Sequence, residues 1–190
     1  MAWRNPLSID AAIARAENSV RRERAPNRLT GRFLLKGVVL SLLVAGSVVA
    51  LATRYSIGSA TQEHLCLPPY RLWLIDKFDK EPVRGEIYAF KAKGLGPIFS
   101  DGTLIVKVLD GMPGDAVEIS PEQTTINGRV VATGLAVADK YDLDPSRYVR
   151  QGTIEAGRFW FFGRTDDSFD SRYWGSVDHS QIMGRAYPLW

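Results

Sequence analysis

Leu104-Ile105-Val106-Lys107-Val108-Leu109-Asp110-Gly111-Met112-Pro113-Gly114-Asp115 decides how the rest of the chain is read. β-favouring apolar residues are interrupted by one lysine, and the run closes in a Pro-Gly turn. A strand apolar at nearly every position is covered on both faces, which takes Lys107 out of good contact with water. Burial disfavours the charged form of an amine, so a lysine held there can take a proton from a nucleophile. The plainer reading is an edge-strand lysine whose stem packs while its head reaches solvent. The other motifs of the chain tip the balance towards the first.

The 190 residues fit one domain plus an appendage, and 45% hydrophobic with 24% charged residues is ordinary for a globular protein. The net charge of +3 does not point to nucleic acid, because the basic residues concentrate in the first 36 positions. One cysteine and two histidines exclude an intrachain disulfide framework and argue against a zinc site. No cofactor is called for.

Residues 1–32 read as a basic cytoplasmic tail. Within it Ser8 can cap a short helix with Ile9, Ala12, Ile13, Ala16 and Val20 on one face. Residues 33–53 read as a transmembrane anchor, since about twenty apolar residues at roughly 1.5 Å each span a bilayer core. Arg4, Arg15, Arg21, Arg22, Arg24, Arg28 and Arg32 precede it, against Asp10, Glu17 and Glu23. That asymmetry predicts a single pass with the amino terminus in the cytoplasm and everything after Arg54 outside it. Residues 54–190 then form an extracytoplasmic domain. The rival is a removable export signal cleaved near Ala50-Leu51-Ala52, for which the preceding tail is long.

Strand signals dominate the remainder. Arg71–Ile75, Glu86–Phe90, Val117–Ile119, Arg129–Val131 and Arg158–Gly163 are strand candidates, and Asn127-Gly128 is a strong hairpin signal. Ala136 to Arg150 shows no period and reads as a surface excursion. The expected fold is mainly β on a single amino-terminal helix.

Four stretches bear a resemblance to one family. Arg84-Gly85-Glu86-Ile87-Tyr88-Ala89-Phe90 resembles the "R-G-D-hydrophobic-F" strand of signal peptidase I. Val106-Lys107-Val108 through Met112-Pro113-Gly114-Asp115 resembles its lysine strand and "L-P-G-D" turn. Ser168-Phe169-Asp170-Ser171-Arg172-Tyr173-Trp174-Gly175 is similar to "S-x-D-S-R-Y-x-G", and Ile182-Met183-Gly184-Arg185-Ala186 to "I-x-G-[RK]-A". The short Gly163–Ser168 loop, the compact domain and the closing Pro188-Leu189-Trp190 resemble the conjugative-transfer, pilin-processing branch.

The resemblance implies a signal-peptidase-like β-rich catalytic domain that cleaves leader peptides with a nucleophile–lysine dyad. The family serine falls on Cys66, in His64-Leu65-Cys66-Leu67-Pro68. A thiol ionises more readily than a hydroxyl, so the swap is chemically coherent. Cys66 and Lys107 are the implied catalytic pair, against the plainer reading of Cys66 as a buried structural thiol. Ser56 and Ser59 are the fallback nucleophiles. Ser168 is implied to orient Lys107, with Asp170 and Arg172 as a supporting ion pair. The Cys66 N–H is the natural oxyanion donor, and the hydroxyl the family often adds two residues before the nucleophile is replaced here by His64, which more often reads as a surface residue. The implied partners are a pilin precursor or another exported protein, inner-membrane lipid and proteins of a conjugation apparatus. The alternatives are a general signal peptidase I and a catalytically silent component of a secretion apparatus.

Overall fold

The computed structural model describes residues 9–23, 30–60, 65–96 and 98–190. It divides between Ser47 and Val48 into two compact units. Helix α1 covers Ile9–Glu23; its predicted cap, Ser8, lies outside the described residues. Helix α2 covers Gly31–Arg54, with mean hydropathy 2.3 and no buried residue, and is long and apolar enough to cross a membrane.

The last turn of α2 belongs to the second unit. A helix leaves its final carbonyls without intrahelical partners. Here the Lys77 N–H donates to the Arg54 carbonyl at 2.8 Å, and Lys77 Nζ donates to the Ala52 carbonyl at 2.8 Å. Arg54 in turn donates through Nε and Nη2 to the Asp76 carboxylate, at 2.6 Å for the shortest contact. The chain therefore passes from helix into sheet with no intervening loop.

Eleven strands follow among the described residues. They are β1 (Tyr55–Ser59), β2 (Leu72–Asp76), β3 (Ile87–Lys91), β4 (Leu104–Gly111), β5 (Ala116–Ile119), β6 (Gln123–Ile126), β7 (Arg129–Thr133), β8 (Arg150–Thr153), β9 (Arg158–Phe162), β10 (Val177–Asp178) and β11 (Ile182–Pro188). One sheet has the order β1-β2-β11-β3-β4-β9-β10 and the other β7-β6-β5-β8. All neighbours that pair are antiparallel. The fold is mainly β, as expected.

Strand β9 shows why its apolar run does not alternate with polar residues. Phe159 and Phe161 enter a core with Tyr88, Phe90, Ile105 and Leu109, while Trp160 and Phe162 enter a second core with Val117, Ile126 and Ile154. Each such side chain contributes about 1.5–3 kcal/mol by leaving water. A third core, with Trp73, Ile75, Ala89, Val108 and Ala186, also receives Leu67 from the segment before β2.

Two expectations change. The Asn127-Gly128 turn, with φ of 51° and 77°, joins β6 to β7. The sequence reading had missed β6, whose Gln-Thr-Thr-Ile lacks an apolar run. The supposed surface excursion instead holds helix α3 (Ala136–Lys140), with Leu135, Val137 and Ala138 buried against Tyr173. Its apolar residues are too few to show a period, and only the tertiary contact reveals their partner.

The turn after β4 is locked by Asp115. It accepts from Arg84 Nη2 at 3.0 Å, from the Met112 N–H at 2.7 Å and from Asn127 Nδ2 at 2.8 Å. Burial alone would push this carboxyl up, but Arg84, Met112 and Asn127 outweigh it and hold it below the usual carboxylate range. A depressed carboxyl stabilises the fold above its unfolded value of about 3.9 and loses that contribution as pH falls through the folded value. The urea midpoint of Asp115→Asn is thus expected to lie below wild type at neutral pH. The gap should narrow as the pH drops below about 4.

Candidate active site

Lys107 sits in the middle of β4, opposite Tyr88 of β3. β4 is an interior strand between β3 and β9, and Lys107 is 2% exposed. This overturns the edge-strand reading and agrees with a strand covered on both faces. The β9 ladder runs out at Phe162, opposite Val108, so the chain diverges from β4 beside Lys107. The segment that diverges brings Ser168, also fully buried, to Lys107, whose Nζ donates to Ser168 Oγ at 2.7 Å.

Cys66 lies between β1 and β2, half-buried. Its carbonyl accepts from the Arg164 N–H at 2.7 Å, and the next residue, Leu67, anchors in the third core. Cys66 and Lys107 both line a cleft of about 190 Å³, with Leu65, Leu67, Tyr70 and Trp73 among its apolar walls. Cys66, Lys107 and an apolar surface thus share one cleft. Ser59 lines it as well, whereas Ser56 Oγ is buried without a hydrogen-bond partner and does not. His64 lies outside the described residues.

Asp170 and Arg172 form a buried pair, with Arg172 Nε and Nη2 each 2.9 Å from a different Asp170 oxygen. Arg172 Nη1 donates to the Thr133 and Gly134 carbonyls, and Nη2 donates to those of Asp166 and Ser168. Burial opposes the guanidinium charge, but Asp170 outweighs it and holds the group above its ordinary value. Asp170 also accepts from the Gly163 N–H at 3.2 Å and caps helix α4 (Ser171–Trp174) through the Arg172 N–H. This pair therefore shapes the loop that delivers Ser168. Among the described residues no cluster of three His, Cys, Asp or Glu side chains is placed to hold a metal ion.

Three positions were missed in the sequence. Asp110 sits at the irregularity where β4 and β9 shift register, and its carboxylate accepts from Arg164 Nη1 and Nη2 at 2.7 and 3.0 Å. Arg164 is the residue whose N–H holds the Cys66 carbonyl, so this ion pair links the lysine strand to the cysteine segment. Opposite charges 54 positions apart give no sequence signal. Gly163 is the third: a Cβ there would lie 2.1 Å from Ser168 Oγ and 3.1 Å from the Cys66 carbonyl oxygen. Gly163→Ala must push Ser168 away from Lys107. Any activity that needs Lys107 and Ser168 in place is expected to fall about 100-fold, as a displacement near 1 Å does in a preorganised site, while the chain still folds. Cleavage rates and urea midpoints measured side by side check this.

The chain is 27% identical over 184 residues to a probable signal peptidase I-2 of Synechocystis sp., covering 90% of this chain and 78% of that one. It is 24% identical over 173 residues to the conjugal transfer protein TraF of Agrobacterium fabrum, covering 83% and 93%. A crystal structure of a signal peptidase I from Enterococcus faecalis aligns with TM-score 0.36 and 26% identity, over 56% of this chain and 97% of that one. The family described as signal peptidase, peptidase S26, matches residues 31–190. With that match running from the apolar helix through the closing strand, the chain belongs to the signal peptidase family S26.

Proposed function

We propose that the protein is a membrane-anchored leader peptidase that matures a pilin precursor of a conjugative transfer system, with Cys66 as nucleophile and Lys107 as base. The observation that carries the reading is the shared cleft of Cys66 and Lys107, with Lys107 held by Ser168 at 2.7 Å. The similarity to a conjugal transfer protein over most of both chains supports the conjugation setting.

In this reading a substrate segment lies in the cleft with its scissile carbonyl against Cys66. The Lys107 amine takes the thiol proton as Sγ bonds to the carbonyl carbon. The Cys66 N–H donates to the oxyanion that forms. Collapse breaks the C–N bond, and the leaving amine recovers the proton from Lys107. A thioester remains on Cys66. Water then attacks, Lys107 accepts its proton, and the thiol departs with a proton returned. A substrate amine attacking in place of water would close the pilin into a ring by the same steps. Residues 1–32 serve as the cytoplasmic tail, 33–53 as the anchor, and 54–190 as the periplasmic catalytic domain.

The test is reconstitution of the full chain with a tagged pilin precursor, followed by product mass. A leader peptide plus a mature pilin heavier than its ring form by one water means hydrolysis; loss of that water means cyclisation. An uncut pilin precursor beside a cleaved secretory precursor favours the general signal peptidase. Two uncut substrates favour a catalytically silent component.

A further inference from the structure

Four of the chain's seven lysines, Lys77, Lys80, Lys91 and Lys93, line one open cleft of about 600 Å³ that neither Cys66 nor Lys107 lines. They come from different segments, Lys77 and Lys80 after β2 and Lys91 and Lys93 at the end of β3. Among the described residues none of the four is in an ion pair. The acidic groups nearby are already engaged. Asp101 accepts from the Gly94 N–H at 2.6 Å, and Asp178 is held by Ser180 Oγ at 2.6 Å with Arg158 at 3.8 Å. With four lysines against one lining carboxylate, Asp101, the cleft carries an excess of positive charge, and the Ser180 side of its wall is held by a capping box.

Its position identifies the anion. Lys77 Nζ donates to the Ala52 carbonyl, in the last turn of the apolar helix, so one lysine of the cleft is tied to the end of the candidate span. The adjacent Phe78 is 71% exposed. An exposed aromatic beside lysines at the end of an apolar span is the pattern of a membrane interface, where rings sit at headgroup level and ammonium groups meet lipid phosphate.

We propose that this lysine cleft binds the phosphate of anionic membrane lipids and so sets how the catalytic unit stands on the bilayer. The proposal rests on α2 spanning the membrane and is independent of the peptidase chemistry.

The test uses the full chain in nanodiscs of phosphatidylcholine, with or without about one third phosphatidylglycerol, and follows lysine acetylation by a neutral reagent. Acetylation of Lys80, Lys91 and Lys93 is expected to slow at least about threefold in the anionic nanodiscs, and about 0.5 M salt should reverse this. Lys140, on α3, should not change. Equal rates in both lipids overturn the proposal. So does equal protection by inorganic phosphate in phosphatidylcholine, which would make the cleft a site for soluble anions. Native mass spectrometry from detergent separates a specific site from general surface charge. Wild type should retain phosphatidylglycerol over phosphatidylcholine, and the triple variant K80Q/K91Q/K93Q should lose that preference. A triple variant that keeps it also overturns the proposal. A wild-type chain that alkaline carbonate strips from vesicles overturns the anchor and the proposal together, whatever the peptidase assay shows.

Discussion

Lys107→Ala and Cys66→Ala are each expected to reduce precursor cleavage by at least about 1000-fold, to the level of the assay background. The two groups act as a unit, since the thiol needs a base to take its proton and the amine has no other role in the cleft. The double variant should therefore be no worse than either single one. Cys66→Ser keeps a nucleophile of the same shape but one harder to deprotonate, so a measurable fraction of activity should survive. Ser59→Ala is the control, because Ser59 also lines the cleft. Normal cleavage by Cys66→Ala together with loss in Ser59→Ala would move the nucleophile to Ser59. Thermal unfolding of each variant separates lost chemistry from lost folding. Cys66→Ala should unfold close to wild type. Lys107→Ala removes a 2%-exposed side chain and leaves Ser168 Oγ without its donor, so its melting temperature should fall by a few degrees.

Asp170→Ala is expected to cost about 3–5 kcal/mol, because it strands a guanidinium that is 1% exposed. For a domain of this size that lowers the melting temperature by about 10–20 °C. The loss exceeds that of any surface pair here, such as Arg158 with Asp178 at 3.8 Å, which is worth less than about 1 kcal/mol. Asp170 also accepts the Gly163 N–H, and the other hydrogen bonds of the Arg172 guanidinium go to backbone carbonyls of Thr133, Gly134, Asp166 and Ser168. Cleavage should fall with stability, since Arg172 holds the Ser168 carbonyl at 3.0 Å. Replacing both residues with apolar ones of similar volume should restore part of the stability and none of the activity. Chemical denaturation of the single and double variants measures the coupling. Additive losses would contradict a shared role for the pair.

Much of the β framework was legible in the sequence, because apolar runs with turn residues between them carry their own signal. Arg158–Phe162 announces a strand, and Asn127-Gly128 announces a hairpin. Strand β6 and helix α3 were not legible. Gln123–Ile126 is polar at its start and takes strand form only by pairing with β5 and β7, and Val137 and Ala138 are buried only because Tyr173 and its neighbours cover them. Local propensity is a weak guide where a long-range contact decides the outcome.

The sequence by itself determined the apolar segment that becomes α2, the strand character of β4, and the membership of Lys107, Ser168, Asp170 and Arg172 in motifs of one family, since each is written in contiguous residues. Only the tertiary structure decided that β4 is interior, that Nζ of Lys107 meets Ser168 Oγ 61 positions away, and that Cys66 shares their cleft. It alone revealed Asp110 with Arg164, Gly163 beneath Ser168, and four lysines gathered by the ends of β2 and β3. The physical reason is the same in each case. A contact between residues far apart in the chain depends on strand order and register, and no local stretch encodes either one.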